Sequence, residues 1–124
     1  MNGRVGFLQG RLSPIVDGRI QSFPWEGWRE ELALALSVGF DRFEWLIDSD
    51  GIDSNPLMTE VGRSAIIGER NTHGIIIPAA TGDYFMRNPY WKSSGARRNE
   101  IHTKLMAAIR ACALVDISSI MIPL

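Results

Sequence analysis

The sequence is poor in the residues that most often announce chemistry. It holds one cysteine, Cys112, and two histidines, His73 and His102. A single cysteine excludes an internal disulfide and gives no reason to place the chain in an oxidising compartment. The H-E-x-x-H, C-x-x-C and G-x-S-x-G patterns are all missing, which removes the common zinc, redox and serine-nucleophile signatures. No phosphate-binding glycine loop follows the first apolar run. Gly6-Phe7-Leu8-Gln9-Gly10 has neither the dinucleotide nor the P-loop spacing. An excess of charge is absent too: Lys and Arg number 13 against 14 Asp and Glu, for a net charge of -1. Such a balance gives no footprint for nucleic acid or an anionic membrane, and the pair Arg97-Arg98 is too small to make one. No apolar run is long enough for a signal peptide or a membrane span. A cytoplasmic location is the default expectation.

What is present is an ordinary globular composition, 45% hydrophobic and 22% charged over 124 residues, enough for a single domain with a real core. Four short apolar runs, at residues 5–8, 43–47, 75–79 and 120–124, alternate with three helical patterns. The runs are nearly continuous, as expected for parallel strands covered on both faces. The first helix is predicted to start near Pro24 or Trp25, with Trp28, Leu32, Leu36 and Phe40 as its apolar stripe and Gly39 at its end. The second is predicted to open with Asn55 as N-cap and Pro56 in its first turn. Leu57, Val61 and Ala65 would be its buried side and Gly74 its close. The third is predicted to run from about Ala96 to Val115, with Ile101, Leu105, Ile109 and Cys112 inward. The order β-α-β-α-β-α-β makes this an α/β chain with a parallel sheet and right-handed crossovers. An open doubly wound sheet and part of a closed eight-stranded barrel both fit. The last run looks like a buried strand with no helix to cover it, an apolar edge that invites pairing. A whole barrel takes about 250 residues, so truncation at the C-terminus is the expectation.

Loop lengths locate the functional end. Helix-to-strand connections are tight, at Gly39-Phe40-Asp41 and His73-Gly74, whereas strand-to-helix connections are long, at residues 11–23, 49–54 and 87–95. Long loops at the carboxyl ends of strands are where both architectures build sites. Four residues there are candidate substrate ligands. Gln9 and Arg11 stand where the first strand meets its loop, and arginine suits bidentate contacts to anions. Their alternative role is to anchor that loop. Glu44 is a carboxylate inside an apolar strand, expensive to bury unless paired or used. It reads equally as a pocket residue or as an ion pair with an arginine such as Arg11. Asp83 follows the third strand, beside Tyr84 and Phe85. Phe85 is expected to pack. Asp48, Asp50 and Asp53 around Gly51 fail the spacing of a calcium loop and read as a solvated turn. His73, His102 and Cys112 are not placed for metal binding or proton transfer, and Cys112 reads as a small core residue.

Taken together, Gly6-Phe7-Leu8-Gln9-Gly10-Arg11-Leu12-Ser13-Pro14, Phe23-Pro24-Trp25, Gly39-Phe40-Asp41-Arg42-Phe43-Glu44-Trp45, Asn55-Pro56-Leu57 and Asp83-Tyr84-Phe85-Met86 resemble the sugar phosphate isomerase/epimerase group. That group belongs to the xylose-isomerase-like barrel superfamily, which also holds the apurinic endonucleases of the second type. The resemblance implies the N-terminal half of a (β/α)8 TIM barrel, with four parallel strands and three helices. It implies a full-length parent that binds a divalent metal (Mn²⁺, Mg²⁺, Co²⁺ or Zn²⁺) through later strands and moves a proton next to a carbonyl of a sugar or sugar phosphate. No metal is expected in this fragment, which is expected to be inactive alone. Gln9, Arg11, Glu44 and Asp83 remain as substrate-side residues. A non-catalytic half-barrel that pairs with itself through its open sheet edges, or with a partner chain, is the second expectation. A nuclease is the weakest, since it needs more histidines and a basic face.

Overall fold

Parallel strands joined by helices need crossovers, and here every crossover leads to the adjacent position. The computed structural model describes residues 5–122. Its strands are β1 (Phe7–Leu8), β2 (Arg42–Leu46), β3 (Ile76–Thr81) and β4 (Ser119–Met121), all parallel, in the spatial order β1-β2-β3-β4. A doubly wound sheet requires the strand order to reverse partway. The sequential order does not reverse, so right-handed connections place the helices on one face. These are α1 (Trp28–Ser37), α2 (Glu60–His73), the short α3 (Asp83–Arg87) and α4 (Gly95–Leu114).

Burial along the third strand agrees. Ile75 and Ile77 are buried, while Ile76 between them is 46% exposed and Pro78 is also exposed. Alternate side chains point to opposite faces, so toward the amino ends of its strands the described sheet is covered on one side only, whereas Leu46 and Thr81 near the carboxyl ends are buried on the Glu44 face as well. The expectation of strands covered on both faces is therefore met at the carboxyl ends of β2 and β3 and corrected nearer their amino ends. Apolar residues on the other face, such as Ile76 and Met121, stand open. The edge strands are also shorter than expected. Val5 is exposed and precedes β1, and β4 is exposed at Ser119 and Met121 rather than buried. Pro123 and Leu124 of the fourth predicted run lie outside the described residues.

The covered face holds the core. Trp45 is fully buried, with Phe23 and Trp28 each 5.5 Å away and Phe43 at 6.1 Å between ring centroids. Burying a side chain of this size contributes roughly 2–3 kcal/mol. The indole N–H would be stranded there, and Asn55 accepts it at 2.9 Å. That use of Asn55 explains one departure from the sequence reading. Asn55 does cap a turn with Pro56 in its first position, but the turn is 3₁₀ (Pro56–Met58), and α2 begins only at Glu60 under a second cap, Thr59. The break shifts the helical phase. Leu57 stays buried, Ile66 becomes the buried residue of α2, and Val61 is 83% exposed rather than inward.

Helix α1 likewise starts at Trp28, not at Pro24, because Phe23 and Pro24 are spent on packing and the Trp25 N–H turns back to the Phe23 carbonyl. In α4, Ile101, Ala108, Ala111 and Cys112 are buried, and Ile109 is exposed, not inward. Alanines let α4 approach closely, and Ile109 falls on the flank facing β4. Gly74 closes α2 as predicted. Among the described residues no helix is long and apolar enough to cross a membrane.

Candidate functional site

Proline inside a strand decides which side chains meet at the site. Pro78 has no N–H to give the ladder, and β3 carries one extra residue there. Arg42 pairs with Ile76, but Glu44 pairs with Ala79. A bulge of this kind reverses the facing of everything beyond it. Unbroken alternation from Ile77 would turn Thr81 toward the helices. The bulge turns it instead to the face of Glu44, where the Thr81 hydroxyl donates to Glu44 Oε2 at 2.7 Å. The freed Pro78 carbonyl accepts from the Ser118 N–H at 3.3 Å and the Ser118 hydroxyl at 3.0 Å. One proline thus sets both the site pair and the docking of the β4 approach.

Glu44 lines a groove of about 350 Å³ on the open face, with Gly6, Phe7, Leu8, Arg42, Phe43 and Pro78. Of the two readings left open for Glu44, the ion pair with Arg11 is not formed. Arg42 is held by Asp41 at 3.0 Å, and that hydrogen bond keeps the Asp41 carboxyl below the ordinary carboxylate range.

Arg11 is exposed and donates to Gln21 Oε1 at 3.1 Å. The amide of Gln21 in turn donates to Asp83 Oδ2 at 2.5 Å. Gln21 therefore ties two predicted residues, Arg11 and Asp83, into one chain of hydrogen bonds across the first and third loops. Nothing in the sequence marked Gln21, because it sits in a long loop without periodicity. Asp83 is buried, at the start of α3, a helix too short to announce itself by periodicity. Phe85 packs, as predicted. Gln9 is wholly buried. Its Oε1 accepts from the Leu46 N–H at 2.9 Å, and its Nε2 has no partner among the described residues.

The loop that carries Arg11 has a support that the sequence did not reveal. Glu31 on α1 is 2% exposed. Its carboxylate accepts from the Gly10 N–H at 2.9 and 3.0 Å, the Leu12 N–H at 3.0 Å and the Ser13 hydroxyl at 2.9 Å. Gly10 sits at φ +95°, and a Cβ there would lie 2.6 Å from the Ser22 carbonyl oxygen. Only glycine fits that conformation and that approach.

Asp48, expected in a solvated turn, is in fact buried. It accepts from the Phe23 N–H at 2.9 Å and the Ser49 N–H at 2.6 Å, and pairs with Arg19 at 3.4 Å. Asp50 also meets Arg19, at 3.1 Å, whereas Asp53 meets Lys104 at 2.7 Å. Asp48 and Asp50 thus share one guanidinium, and Asp53 is committed elsewhere. Among the described residues no group of three or more His, Cys, Asp and Glu side chains is arranged to hold a metal ion. His73 bonds Glu69 on α2, and His102 lies by Tyr90 on α4. Burial pushes the Cys112 thiol up to about 11.

In comparisons with known proteins, no family model matches the chain and no curated protein matches it.

Proposed function

We propose that this chain forms the first four β/α units of a (β/α)8 barrel of the sugar or sugar phosphate isomerase/epimerase type, with the upper rim of its sheet as the substrate side. The observation that carries the reading is a singly wound sheet that leaves Ile76, Pro78 and Met121 exposed on one face. Apolar side chains on that face need further strands to close the round. In such barrels function collects at the carboxyl ends of strands, the end where Arg11, Gln21, Glu44, Thr81 and Asp83 gather. A polyol suits these groups, since each hydroxyl both donates to a carboxylate and accepts from a guanidinium or amide. Arg11, exposed at the rim, also suits a phosphate.

The resembling family uses a divalent metal to stabilise the negative charge that develops when a proton leaves the carbon next to a carbonyl. The described residues do not fit that metal, and on this reading its ligands come from later strands. Glu44 and Asp83 accept hydrogen bonds from substrate hydroxyls, and Gln21 keeps Arg11 and Asp83 in register. The test is solvent deuterium incorporation. The native assembly that contains this chain, given Mn²⁺ or Mg²⁺, should exchange the hydrogen next to the carbonyl of ketoses or their phosphates in D₂O. Glu44→Gln should raise KM more than it lowers kcat. No exchange with any ketose, or exchange indifferent to Glu44→Gln, refutes the reading.

A second reading rests on the free edges. β1 and β4 are the outer strands, and two copies related by a two-fold axis would cover each other's open faces. A monodisperse dimer by light scattering, with one cooperative melt, supports this arrangement. A monodisperse monomer refutes it.

A further inference from the structure

A second cavity lies away from the groove beside Glu44, and the proposed function makes no use of it. Beyond Ser13 the first loop folds into a small hairpin. Val16 and Arg19 form an antiparallel bridge, with the Arg19 N–H donating to the Val16 carbonyl at 3.0 Å. Asp17 (φ 51°) and Gly18 (φ 70°) between them are both left-handed, the type I′ geometry that Asp-Gly favours. The hairpin presents Ile15 and Ile20, each 70% exposed. Between it and the segment leading into α1 is a cleft of about 520 Å³, within the size range of small-ligand sites. Pro14, Ile15, Pro24 and Trp25 form apolar walls, and the carboxylates of Asp17 and Glu26 stand on its lining.

Charge and geometry set what this cleft takes. Asp17 and Glu26 are both exposed, and among the described residues neither enters an ion pair. The hairpin's own cation, Arg19, is committed to Asp48 and Asp50 at 3.4 and 3.1 Å. Arg29, in the first turn of α1, is drawn to Glu69 at 3.6 Å. The lining is therefore left with two negative charges. Trp25 is a preformed wall. Its ring meets Phe23 edge-on at 4.9 Å, and a Cβ on Gly51 would lie 2.9 Å from it. A ring already held in place costs little to order on binding, and the face of an indole attracts a cation.

We propose that this cleft binds a small organic cation, a guanidinium or ammonium head on a short apolar stem. The stem lies against Pro14, Ile15 and Pro24, and the head meets Trp25 and the two carboxylates. The inference is independent of the barrel assignment, since it uses only the first loop and its supports.

The probe is n-butylguanidinium, with n-butylurea as its uncharged counterpart of similar shape. Titration of the chain is followed by NMR at the Trp25 indole N–H, identified by its loss in Trp25→Phe. Butylguanidinium should give a saturable shift that butylurea does not. Asp17→Asn combined with Glu26→Gln should weaken binding about fivefold, the effect of removing two partly exposed charge contacts. Asparagine tolerates the left-handed backbone, so the Val16 and Arg19 amide resonances should stay in place and show the hairpin intact. Absence of a saturable shift, equal binding of butylurea, or unchanged affinity in the double variant overturns the proposal.

Discussion

The sharpest test of how the first loop is held is Glu31. Its carboxylate takes hydrogen bonds from the Gly10 N–H, the Leu12 N–H and the Ser13 hydroxyl, all between 2.9 and 3.0 Å. Glu31→Ala removes the acceptor and strands three donors. Each buried donor left without a partner costs about 1–3 kcal/mol. The loop can turn some of them to water, so the lower end applies, giving about 3 kcal/mol in all. Against a typical total of about 5–15 kcal/mol for a small domain, that loss is large. Glu31→Gln should behave differently. Oε2 serves all three donors, whereas Oε1 serves only Gly10, which it shares with Oε2. A glutamine with its oxygen at the Oε2 position keeps most of the set and should cost about 1 kcal/mol. Urea unfolding is the assay. With a slope of about 2 kcal/mol per molar, the midpoint should fall by about 1.5 M for alanine and about 0.5 M for glutamine. Hydrogen exchange at Gly10 and Leu12 should rise in the alanine variant ahead of exchange at β2. Equal losses for the two variants, or a loss below about 1 kcal/mol for alanine, would refute the idea that this carboxylate anchors the loop.

Asn55→Asp should destabilise by about 2–3 kcal/mol in the same urea assay, because it sets a carboxylate oxygen against the Leu46 carbonyl that Asn55 Nδ2 now serves at 3.0 Å; a loss below about 1 kcal/mol would count against that role. The Cys112 thiol has its pKa raised from 9.0 to about 11 by burial, so the folded state holds this proton more tightly than the unfolded one. Its contribution to stability is complete below pH 9.0 and is lost as pH rises toward about 11. The urea midpoint should therefore fall less steeply over that range in Cys112→Ala than in the parent chain, and equal slopes would contradict the assignment. Thiol labelling at neutral pH should track unfolding and be slow in the native state.

The succession and type of the elements were legible because parallel strands and helices write different periods, whereas the spatial order of the strands, which separates a doubly wound sheet from a barrel, was not. Runs such as residues 43–47 and the stripe Trp28, Leu32 needed no tertiary information. Phase was less legible. Val61 fits an inward position if α2 starts at Pro56, and only the 3₁₀ turn, imposed by Asn55 reaching for Trp45 and Leu46, moves it to solvent. The open side of β3 was hidden as well, since Ile75, Ile76 and Ile77 look alike in sequence while their exposures alternate. At the site, Glu44 stood out as a charge in an apolar strand. Its partner Thr81 could not, because their meeting depends on an extra residue at Pro78 that no local pattern announces. Gln21 and Glu31 were missed for one reason: their partners lie 62 residues and up to 21 residues away, respectively.

The buried polar residues around the upper rim share a pattern that bears on how the site is built. Glu31 fastens residues 10, 12 and 13, Asp48 fastens Phe23 and Ser49, and Asn55 fastens Trp45, Leu46 and Leu57. Each is buried at the foot of a loop and accepts from backbone or indole N–H groups, Glu31 also from the Ser13 hydroxyl, while Asn55 in addition donates to the Leu46 carbonyl. A buried acceptor satisfied this way is costly to remove, so the loop feet inherit the rigidity of the sheet. The side chains not consumed in that anchoring are Arg11, Gln21, Glu44 and Asp83, and these lean on one another or on Thr81 rather than on the scaffold. A site assembled in this way holds its polar groups in place through fixed backbone and leaves their outer lone pairs and protons for something else. That division between fastened feet and available tips is what a binding rim requires. It predicts that substitutions at Glu31 or Asp48 disturb stability and the site together, whereas Glu44→Gln leaves stability nearly unchanged. A Glu44→Gln variant that unfolds as readily as Glu31→Ala would place Glu44 among the anchors and remove it from the rim.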